Sequence, residues 1–356
     1  MERRGEEWLA NADPSVGVGS RHHTVPAFYL KRFANGSKQL TVRDRSTGAV
    51  TTRSYLTMKI TDFYTVVGHD GTLDGRLEQL LCQVEGNAAR VFGDLLSAFR
   101  RPGSLDPVDY WAVVQFLAFQ LVRGERKRRE LELMADYMAK VQAGQQLTRR
   151  DLETLTAVPH PNEHLRMMCK TVETVAPYVG NRPLSVVFLD QPLLITGDEP
   201  VIVNVGTDYP QHQPDCFITR KELARRRRAG VKSGGKWSQI VHIYYTRPSG
   251  VADAMEIALP LTPKSILFLG PIGADSEPRA RLQGAEAEHL ASLVNEQVIA
   301  QSLSWVAANP AHPHFTSMVF PPASPLLAVC DGGSVMSEQL KNAPDPRRPR
   351  LLRDWN

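Results

Sequence analysis

The most regular pattern in the chain is an apolar stripe within residues 75–99, where apolar side chains recur every three or four positions. This spacing predicts one buried face of an α-helix, and its members are Leu77, Leu81, Val84, Ala88, Val91 and Leu95. Asp106 and Pro107 then provide an N-cap and a first-turn proline for a second helix. That helix is apolar on nearly all sides through Val122, so we expect it to be central. The pattern allows it to continue to about residue 143.

Other segments carry shorter patterns. Residues 38–54 are rich in Thr and Val on both sides of a Ser-Thr-Gly turn, which predicts a β-hairpin. Alternating and continuous short apolar runs predict strands later in the chain, and renewed helical spacing predicts further helices. We place two short strands each in residues 184–196 and 255–270, one strand in residues 239–245, helices at about 148–157 and 162–178, and a closing helix at 286–307.

Together these elements predict an α+β fold in which a helical half is followed by a small, mostly antiparallel sheet and a closing helix. We expect one domain over residues 20–310, preceded by a flexible lead at 1–19 and followed by a flexible tail at 331–356. Within it, the helical part spans about 75–178, the sheet part about 183–275 and the closing helix about 284–308.

Composition supports a soluble globular protein, because 42% of the 356 residues are apolar and 22% are charged. The first residues lack the apolar core of a signal peptide, and no apolar run approaches the roughly 20 residues that a membrane span needs. The four cysteines form no C-x-x-C pair. We therefore expect a reduced, cytoplasmic protein without a membrane partner.

The net charge is only +4, but basic residues are concentrated at positions 126–129, 225–228 and 347–350. Such runs are typical of solvated helix faces and tails, and they are also typical of surfaces that bind nucleic acid or another polyanion. No aromatic residues interleave with them, so base stacking on these runs is not indicated. Both interpretations stay open from the sequence.

Three short motifs resemble known sites without meeting their requirements. Residues 230–237 nearly match a phosphate-binding loop, but Trp237 replaces the Mg²⁺-binding hydroxyl. Residues 160–164 match the zinc pattern H-x-x-E-H, but Pro161 places the first histidine at the helix start. The two histidines of residues 312–314 flank a proline, which favours an exposed loop.

Polar residues within apolar segments are more informative. Gln120 and Arg123 share a face of the predicted central helix, and a buried guanidinium needs a carboxylate partner. Glu85, at the border of the preceding apolar stripe, is the expected partner, and Asp198 follows a strand that looks buried. These residues form either a structural ion-pair network or a polar pocket between the two halves.

Several segments in this order resemble the bacterial family known as domain of unknown function 4238, over roughly residues 21–305. They are RHHTVPAFYLKRFA, TDFY, a helix with Glu78 and Glu85, FLAFQLVR, LLITGDEPVIV, LPLTP and a late helix with Asn295. The family's usual T-S-D is Thr196-Gly197-Asp198 here, so a role for a serine is lost and Asp198 is kept. The resemblance supplies no reaction, and it points to His22, His23, Pro26, Tyr29, Phe33, Glu85, Gln120, Arg123 and Asp198.

The opening motif combines a histidine pair with aromatic residues. Pro26 favours an extended backbone before it, so the two adjacent histidines diverge and only one is expected to point inward. We predict that the aromatics Phe28, Tyr29 and Phe33 anchor this segment to the helical half.

Two classes of function remain. A histidine with two carboxylates could hold a divalent metal that activates water, as in phosphodiester hydrolysis in bacterial defence or toxicity. The alternative is a non-catalytic module that binds a ligand, nucleic acid or protein. The candidate catalytic residues are His22, His23, Glu85, Gln120, Arg123 and Asp198, and the candidate metal ligands are His23, Glu85 and Asp198.

Overall fold

A computed structural model of the protein describes residues 12–18, 21–97, 105–143, 151, 154, 156–204, 242–245, 251–271, 280–321 and 326–330. Its helices are α1 (Ala27–Leu30), α2 (Arg76–Leu96), α3 (Pro107–Val122), α4 (Glu125–Ala143), α5 (Pro161–Gly180) and α6 (Gly284–Gln301). The strands before and between the first helices are β1 (Arg21–His22), β2 (Gln39–Asp44), β3 (Val50–Ser54), β4 (Ile60–Thr61), β5 (Val66–Val67) and β6 (Leu73–Asp74). The later strands are β7 (Leu184–Leu189), β8 (Thr196–Gly197), β9 (Ile202–Asn204), β10 (His242–Tyr245), β11 (Glu256–Thr262), β12 (Ser265–Leu269), β13 (Ala280–Leu282), β14 (Trp305–Ala308) and β15 (Leu327–Cys330).

This architecture confirms the predicted α+β class, with strands before the helices as well as after them. The apolar stripe of α2 is buried as expected, and α3 is buried along nearly its whole length between α2 and α5. Asp106 caps α3 by accepting hydrogen bonds from the Val108 and Asp109 N–H groups at 3.0 and 2.9 Å. None of the described helices is long and apolar enough to cross a membrane.

A break separates α3 from α4 where the sequence pattern allowed one continuous helix. Gly124 lies between the two helices, and a Cβ at that position would stand 2.4 Å from the Glu199 Oε1 atom. The same oxygen accepts a hydrogen bond from the Arg126 N–H at 3.2 Å. A carboxylate from a distant segment therefore accepts a hydrogen bond at the start of α4, where negative charge is favourable.

The charged helix α4 is largely internal, so its basic run at residues 126–129 is not a solvated helix face. Arg126 is 3% exposed, and its Nε donates to the Glu130 Oε1 at 3.1 Å. Arg128 Nη2 donates to the Phe63 carbonyl at 2.6 Å. Farther along, the buried Lys140 Nζ donates to the Asp136 Oδ2 at 2.7 Å. Buried charges with partners of this kind are tolerated in an interior.

A five-stranded sheet in the order β13-β7-β12-β11-β9 lies between the helical half and α6. The two strands predicted in residues 255–270 are present as the antiparallel pair β11–β12, whereas β13 runs parallel to β7. One face of the sheet, with Val186, Ile257 and Leu267, packs on α2, α3 and α5. The other face, with Ile266 and Phe268, packs on α6.

A second sheet has four strands in the order β3-β2-β14-β8. One of these strands, β14, lies where the sequence predicted the last residues of the closing helix, so that prediction was wrong at its C-terminal end. That helix ends at Gln301, and residues 305–308 form β14 instead. The predicted hairpin at residues 38–54 is confirmed as β2–β3, and β14 pairs with β2 on one side and β8 on the other. Of the two strands predicted in residues 184–196, the first is β7, and the second is the two-residue strand β8, which begins at the end of this range.

The N-terminal aromatics anchor the opening segment, as predicted. Tyr29 and Phe33 are fully buried, and the Phe28 ring packs edge-on against Phe116 at 5.5 Å between centroids. At the start of α5, His160 caps the helix by accepting the Asn162 N–H at 3.2 Å. Residues 225–228, 230–237 and 347–350 and most of the predicted helix at 148–157 lie outside the described residues. The limits of the flexible lead and tail stay predictions.

Candidate functional site

Arg123 lies at the C-terminal end of α3 and is 1% exposed. Its Nη1 donates to the Glu85 Oε1 on α2 at 2.8 Å, and its Nε donates to the Thr24 carbonyl at 2.9 Å. The prediction that Arg123 is buried and paired with Glu85 is therefore confirmed. The pair joins α2 and α3 to the opening segment, next to the histidine pair.

Two buried polar atoms here lack hydrogen-bond partners in the described part of the chain. They are Arg123 Nη2 and Gln120 Oε1, although Gln120 Nε2 donates to the Thr24 carbonyl at 3.2 Å. A buried polar atom without a partner costs roughly 1–3 kcal/mol. This cost is removed when a ligand or water supplies the missing partner, so incomplete hydrogen bonding at one locus marks a candidate binding site.

Helix α2 presents Glu78, Cys82 and Glu85 along one face, four and three residues apart. Partial burial, and then the like charge of Glu85, raise the pKa of the Glu78 carboxyl to about 7. Arg123 and Lys59 oppose this shift, which shows that both cations act on Glu78. The Cys82 Sγ is 3.9 Å from Glu78 Oε1, and desolvation together with these carboxylates raises the thiol's pKa to about 11.

The two histidines of the opening motif occupy different environments. His22 is fully buried, its Nδ1 accepts the Tyr64 N–H at 2.9 Å, and its Nε2 lies 3.2 Å from the Gly17 carbonyl. Its ring stacks on that of Tyr64 with centroids 5.5 Å apart. Because both nitrogens are engaged, His22 is a structural link between the opening segment and the residues before α2.

His23 is half-buried, and neither of its ring nitrogens makes a hydrogen bond of normal geometry within the described residues. Desolvation and then the positive charge of Lys59 lower the pKa of its imidazole to about 4, while the Met58 carbonyl opposes this shift. Arg123 also lowers this pKa, so the two side chains are neighbours. His23 is consequently neutral at pH 7, with one ring nitrogen able to donate a hydrogen bond and the other able to accept one.

We call His23, Lys59, Glu78, Cys82, Glu85, Gln120 and Arg123 the Arg123 cluster. Its inner end is the buried Arg123 guanidinium, and its outer part is half-buried at His23, Lys59 and Glu78. The fully buried Tyr64 ring borders it, with the Arg123 Cζ 5.9 Å from the ring centroid. Burial raises the pKa of the Tyr64 hydroxyl, so this group stays protonated.

Asp198 lies outside the Arg123 cluster, and its carboxylate holds the turn between α6 and β14. Its Oδ1 accepts the Leu303 N–H at 3.0 Å, and its Oδ2 accepts the Ser304 N–H. Burial raises the pKa of this carboxyl to about 6 against the effect of these hydrogen bonds. Nearby, the Tyr29 hydroxyl donates to the Pro260 carbonyl at 2.7 Å and lies 2.9 Å from Thr196 Oγ1. We call this group the Asp198 site.

The structure does not bring His23, Glu85 and Asp198 together as a metal-binding set. Among the residues that the structure describes, no three His, Cys, Asp or Glu side chains are arranged to hold a metal ion. Both Asp198 oxygens are used by the main-chain N–H groups that follow α6. Of the six candidate catalytic residues, the cluster contains His23, Glu85, Gln120 and Arg123.

Sequence reasoning missed Glu78, Cys82 and Lys59 as members of the site. A signal for Glu78 was present, because it precedes Glu85 by seven residues and so lies on the same helix face, two turns earlier. Lys59 carried no comparable signal, since it belongs to the irregular segment between β3 and β4.

A family model described as "Protein of unknown function (DUF4238)" matches residues 21–225, more than half of the chain. The chain belongs to this family. The DUF4238 match begins at the opening histidine motif, as the resemblance predicted, and contains every member of the Arg123 cluster as well as Asp198. It ends earlier than the expected residue 305, so LPLTP and Asn295 lie beyond it. No curated protein and no solved structure matches the chain.

Proposed function

We propose that this DUF4238 protein hydrolyses a phosphodiester at the Arg123 cluster, with Glu78 as the general base. The observation that carries the proposal is a carboxyl group with a pKa of about 7 beside a buried arginine that has an unpaired N–H group. A general base is most effective when its pKa lies near the working pH. Perturbed carboxyls next to unsatisfied donors are typical of reaction sites.

In the proposed reaction, each residue of the cluster has a separate role. Glu78 accepts a proton from water, and the water oxygen forms a bond to phosphorus. The opposite P–O bond then breaks, and its electron pair leaves with the departing oxygen. Arg123 Nη2 donates a hydrogen bond to a non-bridging oxygen, whose negative charge increases during the reaction. No step uses a metal.

The other two charged residues set the conditions for these steps. Glu85 fixes the Arg123 guanidinium through the 2.8 Å contact and raises the pKa of Glu78. Lys59 contributes a second positive charge beside that of Arg123. Together the two cations offset the negative charges of Glu78 and Glu85, which reduces the repulsion between these carboxylates and a phosphodiester anion.

The test uses bis(p-nitrophenyl) phosphate as the probe and measures release of p-nitrophenolate as a function of pH. The rate should rise as Glu78 loses its proton, with a midpoint near pH 7, and then level off. Glu78→Gln should lower kcat by roughly 10²–10⁴-fold while the circular dichroism spectrum is unchanged. Glu288→Gln, an exposed carboxylate on α6, is the matched control and should keep full activity.

Release of p-nitrophenolate by Glu78→Gln at the parental rate would show that Glu78 is not the base. Absence of any hydrolysis by the parent protein would contradict the proposal and favour the alternative, a non-catalytic binding module. One observation favours that alternative. Gln120 and Arg123 both donate to the Thr24 carbonyl, so the inner end of the cluster also has a structural role, which is to hold the opening segment against α3.

A further inference from the structure

A second group of unpaired donors lies at the end of β2, apart from the Arg123 cluster. Arg43 and Arg45 project over the same aromatic ring, with their Cζ atoms 4.3 and 5.6 Å from the centroid of Phe320. Both side chains are half-buried. Arg43 Nε, Arg45 Nε and Arg45 Nη2 are buried atoms without a hydrogen-bond partner among the described residues.

The charges around this pair are not balanced. Arg43 Nη1 donates to the Met318 carbonyl at 2.6 Å, which is a neutral acceptor. Asp198 is the carboxylate that acts on Arg45, but its two oxygens already accept main-chain N–H groups. Arg43 itself disfavours the positive charge on Arg45. Arg45 therefore has one buried carboxylate and one like charge acting on it, and like charges at short range repel.

We propose that Arg43 and Arg45 form a binding site for a phosphate group, independent of the Arg123 cluster. Guanidinium groups present a planar set of donors that matches the oxygens of a phosphate, and such charge-assisted hydrogen bonds are the stronger kind. A bound dianion would give partners to the three unpaired N–H groups and remove the repulsion between the two cations. Phe320 holds both side chains in place through cation–π contacts.

The phosphate could be inorganic phosphate or the phosphate monoester of a nucleotide. Titration calorimetry on the full chain with inorganic phosphate, and in parallel with adenosine 5′-monophosphate and adenosine, distinguishes the sources. Equal affinity for the two phosphates indicates a site for the ion alone. Tighter binding of the nucleotide, with none of adenosine, indicates a phosphate subsite of a larger ligand.

Arg45→Gln is the decisive variant, because the Arg45 side chain makes no hydrogen bond whose loss would destabilise the described structure. We expect phosphate to bind at least about tenfold more weakly, a change of about 1.4 kcal/mol, with the melting temperature of the unliganded protein unchanged or raised. Arg53→Gln is the control, since Arg53 is exposed on the neighbouring strand β3. Glu78→Gln, which tests the proposed hydrolysis, should leave phosphate binding at Arg45 intact.

Two results would overturn the proposal. The first is no binding of inorganic phosphate by the parent protein up to about 20 mM, well above the millimolar range of a weak site. The second is parental phosphate affinity in Arg45→Gln together with a lowered melting temperature, which would show that Arg45 serves only to neutralise Asp198.

Discussion

The Arg123 cluster and the Asp198 site are both built from polar side chains among apolar elements, yet only one of them has its hydrogen bonds complete. Both Asp198 oxygens accept main-chain N–H groups, and the neighbouring Tyr29 hydroxyl has two partners. In the Arg123 cluster, by contrast, atoms of Arg123, Gln120 and His23 have none in the described part of the protein.

The difference shows that an unusual polar residue in an apolar segment does not by itself indicate function. Arg123 and Asp198 look alike in the sequence, because each follows a run of apolar residues. The structure separates them by the number of partners that each finds. A completed set of hydrogen bonds is typical of a structural role, and an incomplete set beside titratable groups is typical of a binding or reaction site.

The largest expected effect tests whether the Arg123 cluster also carries stability. Arg123→Ala should lower the free energy of unfolding by roughly 3–5 kcal/mol, because the Glu85 carboxylate loses its partner and the Thr24 carbonyl loses one of its two donors. Urea unfolding measures the change. Arg166→Ala is the control: its ion pair with Glu163 is exposed, so its loss should cost at most about 1 kcal/mol. A melt of Arg123→Ala that matches the parent would contradict the buried pair.

The two adjacent histidines of the opening motif provide the next test. His22→Ala should cost roughly 2–3 kcal/mol, because it leaves the Tyr64 N–H without an acceptor and creates a cavity. His23→Ala should change stability by less than about 0.5 kcal/mol, since its ring nitrogens make no regular hydrogen bonds. Thermal unfolding compares the two. A larger loss for His23→Ala would reverse the roles that we assign.

Asp198→Asn tests the Asp198 site, whose hydrogen bonds are complete, through the pH dependence of the free energy of unfolding. The folded pKa of about 6 lies above the usual 3.8, so the native state binds the proton more tightly and stability falls as pH rises between these values. The parent should lose roughly 2 kcal/mol more than the variant between about pH 4 and pH 6. Urea unfolding at both pH values measures this. Parallel losses in the two proteins would show that Asp198 stays ionised throughout.

Glu78→Gln tests the Arg123 cluster in the same way, by comparing how the stability of the variant and of the parent depends on pH. The folded pKa of about 7 lies above the usual 4.5, so this group also lowers stability as pH rises, here between about pH 5 and pH 7. Because Glu78 is only partly buried, the excess loss in the parent should be about 1 kcal/mol. Melting temperatures at pH 5 and pH 8 measure it. An equal slope in the variant would mean that Glu78 is not perturbed.

The smallest expected effect concerns the second basic run, in contrast with the internal run at residues 126–129. Residues 225–228 lie outside the described residues, and their exposure stays a prediction from the sequence. Replacing all four arginines with Gln should change stability by less than about 0.5 kcal/mol. If the protein binds nucleic acid through them, affinity should fall for all sequences alike and depend less on salt. Loss of folding would show that this run pairs internally too.

Local patterns were sufficient for much of the fold. The apolar stripe of α2, the apolar length of α3, the two strands β11 and β12 and the buried Tyr29 and Phe33 each follow from short-range spacing and apolar character. Two features depend on distant partners and were missed. The break at Gly124 depends on Glu199, and Trp305–Ala308 form a strand because they pair with β2 and β8.

The candidate site likewise has features that could be predicted from the sequence and features that depend on distant residues. The Arg123–Glu85 pair was predictable, because a guanidinium in an apolar helix needs a carboxylate and Glu85 borders the adjoining stripe. The position of Asp198 was not, since nothing in its neighbourhood along the chain indicates that Leu303 and Ser304 use its oxygens. The pKa of Glu78 is raised first by burial and then by the charge of Glu85, and both depend on the folded environment of the helix.

The pairing of β2 with β14 has a consequence for how the protein is made. Thr41 pairs with Ala308, about three quarters of the chain length later, so the early hairpin lacks this neighbour until the ribosome has completed the intervening segment. At 5–20 residues per second this takes tens of seconds. An unpaired strand edge is a template for association with other chains, so nascent copies of this protein are candidates for chaperone binding during synthesis.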